Sequence, residues 1–208
     1  MAIYFGLRYY GGVEGRKVLY PINLLVTFLH EFGHALGAII TGGNVVSVQI
    51  NQDGSGWTRT LGGNRSVVIM GGYLGSAIFG NVLFYIGARA PKLIKPAIIL
   101  LCLSMLTTGF IWFNSMFTTG ILLLFSAVIL FLGLWTKFGR EVLMFIGLIS
   151  IIYIIQDFNV GPKSDLEAYA KEMVFIPSFL WMYIWLGIVI VLFLFNLKIL
   201  WRTSADEY

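Results

Sequence analysis

TFLHEFGHALGAIITGG, residues 27–43, places two histidines and an acid inside an otherwise apolar helical stretch. Ionisable side chains cost a few kcal/mol each in hydrocarbon and rarely stay there without a partner or a task. His30 and His34 are four residues apart, so on a helix they face the same way, one turn above the other. Two imidazoles in that relation can offer nitrogens to one metal ion, and bound imidazoles are no longer unsatisfied polar groups. Glu31 lies beside the first of them, where this motif puts the general base that acts on water. Both histidines of the chain belong to the motif, which weighs against a chance match. The competing readings are two histidines hydrogen-bonded between helices, or a proton relay.

Outward from this stretch the chain is membrane-like. Hydrophobic residues make up 58% and charged residues 12% of its 208 positions, against about 25% charged in soluble domains. Residues 66–88, 96–136 and 173–197 contain no Lys, Arg, Asp or Glu. A span needs about 20 apolar residues, so the middle run must fold back once, between Asn114 and Thr119. The expected architecture is an all-α membrane bundle of about six transmembrane helices, with a small β-hairpin after the first. The spans fall near 18–41, 66–88, 93–114, 116–136, 141–157 and 175–200, with the hairpin at 45–61, all within one unit, 1–208.

The hairpin reading rests on Val46, Val48 and Ile50 alternating with polar residues, then QDGS as turn chemistry. Hydrocarbon forbids an unpaired sheet edge, so the hairpin belongs at the interface or in a watery cleft. There it could accept an unwound substrate as an added strand. Gly33 and Gly37 on the first span, and Gly71, Gly75, Ser76 and Gly80 on the second, suggest close backbone packing around the polar cluster. Ser164 followed by Glu167 is a capping-box signature for a short helix from Asp165 to about Met173.

The net charge is +4, but the basic residues sit in short loops, as the positive-inside bias produces. No nucleic-acid partner is expected. Arg8, Arg16, Lys17, Arg89, Lys92, Lys95, Lys137, Arg140, Lys198 and Arg202 fall on one side, against Arg59, Arg65, Lys163 and Lys171 on the other. That asymmetry puts both termini in the cytoplasm and the chain in the cell membrane. Cys102 is a lone cysteine, which excludes a disulfide framework. The N-terminus has too short an apolar core for a cleaved signal peptide, so the first span is expected to act as the insertion signal.

With LHEFGHALGAIITGG, the hairpin carrying QDGSGWT, GGYLGSAIFGN, and KSDLEAYAKE before an aromatic-rich last span, the chain resembles membrane-embedded zinc metallopeptidases. It is similar to the site-two-protease type, and within it to the small B-like branch without a PDZ domain. The resemblance implies an intramembrane zinc metalloendopeptidase acting on membrane-protein or peptide substrates, with Glu31 as base and His30 and His34 as Zn²⁺ ligands. Catalytic zinc usually has three protein ligands. With no third histidine, the remaining ligand should be a carboxylate. The Ser-Asp of the small branch matches Ser164–Asp165, which makes Asp165 the first choice, with Asp157 the alternative. Read alone, Asp165 could equally be a helix-terminal charge in solvent. Asn81 and Asn114 are amides that could donate to an oxyanion or simply bond between helices. No substrate-binding residue can be named. The alternative function is a catalytically inactive membrane scaffold or chaperone that retains a structural metal site.

Overall fold

The computed structural model describes residues 2–157 and 164–205. The first long helix, α2 (Gly12–Ile40), is preceded by a short helix α1 (Ala2–Tyr10) folded back against it. A hairpin of β1 (Asn44–Ile50) and β2 (Gly56–Leu61) follows. Then come α3 (Arg65–Met70), a π-helical turn at Gly71–Gly75, and α4 (Ser76–Arg89), together one continuous rod. Helices α5 (Ile94–Phe110), α6 (Met116–Leu130), α7 (Gly139–Asp157), α8 (Asp165–Met173) and α9 (Ser178–Ala205) complete the chain.

Five helices among the described residues are long and apolar enough to cross a membrane: Gly12–Ile40, Arg65–Arg89, Pro91–Phe110, Met116–Trp135 and Ser178–Lys198. Residues 141–157, where a sixth span was expected, fall in the 19-residue helix α7, which packs mainly along α4 and is not among those five. The fold-back between α5 and α6 falls at Ser115, whose hydroxyl caps α6 by accepting from Thr118 N at 3.2 Å.

Lipid tails are as apolar as the helix surfaces, so such helices associate through close packing and interhelical hydrogen bonds. Gly33 of α2 meets Gly71 back to back: a Cβ at Gly33 would lie 2.0 Å from the Gly71 carbonyl oxygen. One turn along, a Cβ at Gly37 would lie 2.8 Å from Val67 O. Gly80 does not face α2. It packs on Gly147 of α7, where a Cβ on Gly147 would lie 2.4 Å from Gly80 O. The core has a cluster around Phe28, Leu29, Leu101, Met105 and Leu143, and another around Tyr73, Ile151, Leu166, Tyr169 and Trp185 that takes in α8.

The hairpin is antiparallel, with Val48 opposite Thr58 and Ile50 opposite Gly56. Its turn closes with Gly54 at φ +89°, a conformation that glycine adopts at no steric cost. The expected alternation holds for Val48 and Ile50, which are buried, but not for Val46, which is exposed while Ser47 turns inward. A bulge between Val45 and Ser47 supplies the reason: one extra residue reverses the facing of everything before it. The outer edge of β1 is covered, because Val48 N donates to Trp112 O at 3.1 Å and Ile50 N to Thr118 Oγ1 at 3.0 Å. Among the described residues no strand pairs with the other edge of β2.

Candidate metal centre

The helical spacing of His30 and His34 brings their Nε2 atoms to 3.2 Å. Asp165, from the far end of the sequence, reaches the same point. Its Oδ2 lies 3.0 Å from His30 Nε2 and 3.2 Å from His34 Nε2. Asp165 is the first residue of α8 because Ser164 caps that helix, accepting from Glu167 N at 3.2 Å. Glu167 itself faces Lys171, at 3.6 Å. Helix α8 is drawn into the bundle by Leu166 and Tyr169, both buried, with the Tyr169 ring 4.8 Å from Trp181 and 4.9 Å from Trp185. At its other end, Glu172 pairs with Arg65 of α3 at 3.2 Å. Asp165 is therefore not a solvated helix end. The side chain of Asp157 lies outside the described residues.

The donor set fits a metal ion. His34 Nδ1 lies 2.7 Å from the Val68 carbonyl oxygen. A carbonyl only accepts, so Nδ1 carries the proton and a neutral ring turns its Nε2 lone pair inward. Asp165 Oδ2 is buried and accepts no hydrogen bond. Lone pair facing orphaned acceptor at 3.2 Å is repulsive unless a proton or a metal ion is shared by the two groups. The three donors form a triangle with edges of 3.0, 3.2 and 3.2 Å. Tetrahedral zinc with bonds of about 2.0–2.1 Å needs edges of about 3.3 Å.

Gly72, in the π-helical turn, backs onto this triangle. A Cβ there would meet His34 Nε2 at 2.5 Å and His30 Cε1 at 2.7 Å. Tyr73, the next residue, stands edge-on to His30 with ring centroids 4.8 Å apart. A π-turn widens the helix locally and is often found at functional sites; here it lies where α3–α4 passes His30 and His34.

Glu31 points toward the hairpin and is buried. Its Oε2 accepts from the Thr58 hydroxyl at 2.7 Å. Thr27, one turn earlier, donates to Gly54 O at 2.6 Å and so ties α2 to the hairpin turn. A cavity of about 510 Å³ opens here, lined by His30, Glu31, His34 and Asp165, by Gly54–Thr58 of the hairpin, and by apolar residues that include Val26, Ile69 and Ile154.

The amides Asn81 and Asn114 are elsewhere. Asn81 donates to Ala77 O at 2.9 Å and accepts from Asn196 at 2.8 Å, joining α4 to α9. Asn114 donates to Gln49 Oε1 on the hairpin. Neither lines the cavity. Thr58, Gly56 and Gly72 escaped the sequence reading. The only signal for them was the density of glycine and hydroxyl residues in DGSGWT and GGY, which does not say what they touch.

A family model described as Peptidase M50B-like matches residues 5–196. No match was found among curated proteins or among solved structures.

Proposed function

The chain belongs to the Peptidase M50B-like family, a multi-pass membrane metallopeptidase family, and from that premise we propose that it is an intramembrane zinc endopeptidase using Glu31 as general base. The observation that carries this reading is the convergence of His30 Nε2, His34 Nε2 and Asp165 Oδ2 within 3.2 Å of one another, at the wall of a cavity that also holds Glu31. His30, His34 and Asp165 would hold the ion, in a His₂-carboxylate set that leaves a position open, as catalytic zinc sites do. Bound there, zinc supplies Lewis acidity toward water and the peptide carbonyl.

The chain's own residues do the rest. Glu31 accepts the proton of the attacking water and returns it to the departing amine, the two-way role of a carboxylate next to a metal. The burial that surrounds the cavity excludes bulk water and strengthens every charge interaction inside it. The cavity-facing edge of β2 takes an unwound segment of substrate as an added strand, with main-chain hydrogen bonds as the grip. This assignment of the edge is supported by the covering of β1 by Trp112 and Thr118. The substrate is a membrane protein or peptide, and by the distribution of Lys and Arg the termini lie in the cytoplasm.

The test is Glu31→Gln, purified in detergent and offered a doubly tagged single-span membrane protein. The variant keeps its metal and loses cleavage, since the amide cannot take a proton. Wild-type cleavage by Glu31→Gln, or normal cellular function of that variant, would turn the reading toward a scaffold with a structural metal.

A further inference from the structure

Glu31 belongs to α2, but the groups that fix its carboxylate belong to the hairpin. Thr58 Oγ1 lies 2.7 Å from Glu31 Oε2 and 2.9 Å from the Glu31 carbonyl oxygen. It can donate its single proton to either while staying in place. Thr58 is itself immobilised: it is paired with Val48, which is fully buried and donates its N–H to Trp112 O at 3.1 Å. Two residues before it, on the same face of the strand, Gly56 closes on the carboxylate from the other side. A Cβ at Gly56 would lie 2.7 Å from Glu31 Cγ, 2.8 Å from Glu31 Oε1 and 2.7 Å from Thr27 Cγ2. Thr27 in turn anchors the turn through its bond to Gly54 O at 2.6 Å. The carboxylate is thus held by a donor on one oxygen and by the bare backbone of the strand along the other.

We propose that strand β2 positions the general base: Thr58 orients the Glu31 carboxylate through Oε2, and Gly56, bare of a side chain, leaves the space that Oε1 occupies beside the strand. The proposal rests on Glu31 being the base. It makes Thr58 and Gly56 positioning residues, and it couples the strand offered to substrate to the group that performs the proton transfer. A carboxylate held by one oxygen presents the other in a fixed direction, and misplacement by about 1 Å costs on the order of 100-fold in rate.

The experiment compares wild type, Glu31→Gln, Thr58→Val, Thr58→Ser and Gly56→Ala in full-length, metal-loaded protein, measuring metal content, kcat and KM on the same tagged single-span substrate. Thr58→Val keeps the volume and the β-branch but not the hydroxyl. It should lower kcat at least about 10-fold, with KM within about twofold of wild type and the metal retained. Thr58→Ser restores the donor and recovers most of kcat. Gly56→Ala lowers kcat to a similar degree, again with metal retained. Should Thr58→Val not accumulate, Thr58→Ala removes the same donor without adding a methyl group. The inference is overturned if Thr58→Val and Gly56→Ala turn over as wild type does while Glu31→Gln is inactive. It is equally overturned if Ser recovers no more than Val, or if the variants lose activity only in step with lost metal. Activity in Glu31→Gln removes the base assignment itself and is read separately from those outcomes.

Discussion

Gly72→Ala adds one methyl group on the cavity side of the π-helical turn, and the structure says where it goes. The new Cβ would stand 2.5 Å from His34 Nε2, 2.6 Å from His34 Cε1 and 2.7 Å from His30 Cε1. Carbon contacts are comfortable at about 3.5–4.0 Å, so both rings must withdraw by about 1 Å. They cannot do so freely, because His34 is fastened through Nδ1 to Val68 O at 2.7 Å. Metal bonds tolerate displacements of about 0.2 Å. The expected loss in metal affinity is therefore at the upper end of the usual range for residues that support ligands, about 100-fold, or about 2.8 kcal/mol. The backbone adds no strain of its own: Gly72 has no positive φ, and alanine is favoured over glycine in a helix by about 1 kcal/mol, so the cost falls on the displaced rings. Gly75→Ala is the control, since a Cβ there meets the Gly33 backbone at ordinary contact distances, 3.5 Å to Cα and 3.9 Å to the carbonyl oxygen. The assay is elemental analysis of protein purified in detergent, followed by competition with a chromogenic chelator. A Gly72→Ala protein with wild-type metal content and affinity would refute the reasoning that the π-turn backs directly onto two ligands.

Gly33→Ala drives a methyl group to 2.0 Å from the Gly71 carbonyl oxygen, which forces α2 and the α3–α4 rod apart; a large drop in thermal stability, with loss of metal, is expected in a detergent melt. Asn81→Leu leaves the buried Asn196 amide without its side-chain acceptor at 2.8 Å, a cost of about 1–3 kcal/mol seen in the same melt, with metal binding unchanged. Arg65→Glu exchanges the 3.2 Å pair with Glu172 for a repulsion. Since the pair is largely exposed, the effect on stability stays below about 1 kcal/mol, yet chelator competition should show weaker metal binding as α8 loosens, and adding Glu172→Arg should restore it.

Much of this was legible in the residues because membrane burial is unforgiving. His30, Glu31 and His34 stand out as ionisable groups where hydrocarbon forbids idle ones, and the apolar runs needed only a length criterion to become helices. The short helix α8 could be read from Ser164 and Glu167, since capping is a local interaction. What could not be read is what long-range packing decides. Asp165 is the first choice only through the Ser-Asp resemblance; nothing in its own sequence surroundings says that it lies 3.0 Å from His30. Its place depends on Leu166 and Tyr169 drawing α8 into the bundle. The alternation of β1 misled at Val46, because a bulge changes facing without changing composition. The glycine of α4 that was expected to serve the polar cluster, Gly80, serves α7 instead through Gly147. Spacing fixes which residues share a face, but not which helix that face will meet. Asn81, a plausible oxyanion donor by type, is engaged by Asn196 from the other end of the chain.

One helix and one distant carboxylate build the proposed three-donor metal centre. Its most direct test is the zinc content of purified wild type beside His34→Ala, Asp165→Ala and Asp157→Ala. One zinc per wild-type chain is expected, with little or none in His34→Ala and Asp165→Ala, and wild-type content in Asp157→Ala. Wild-type protein without stoichiometric metal, or Asp165→Ala protein that binds zinc as tightly as wild type, would contradict it.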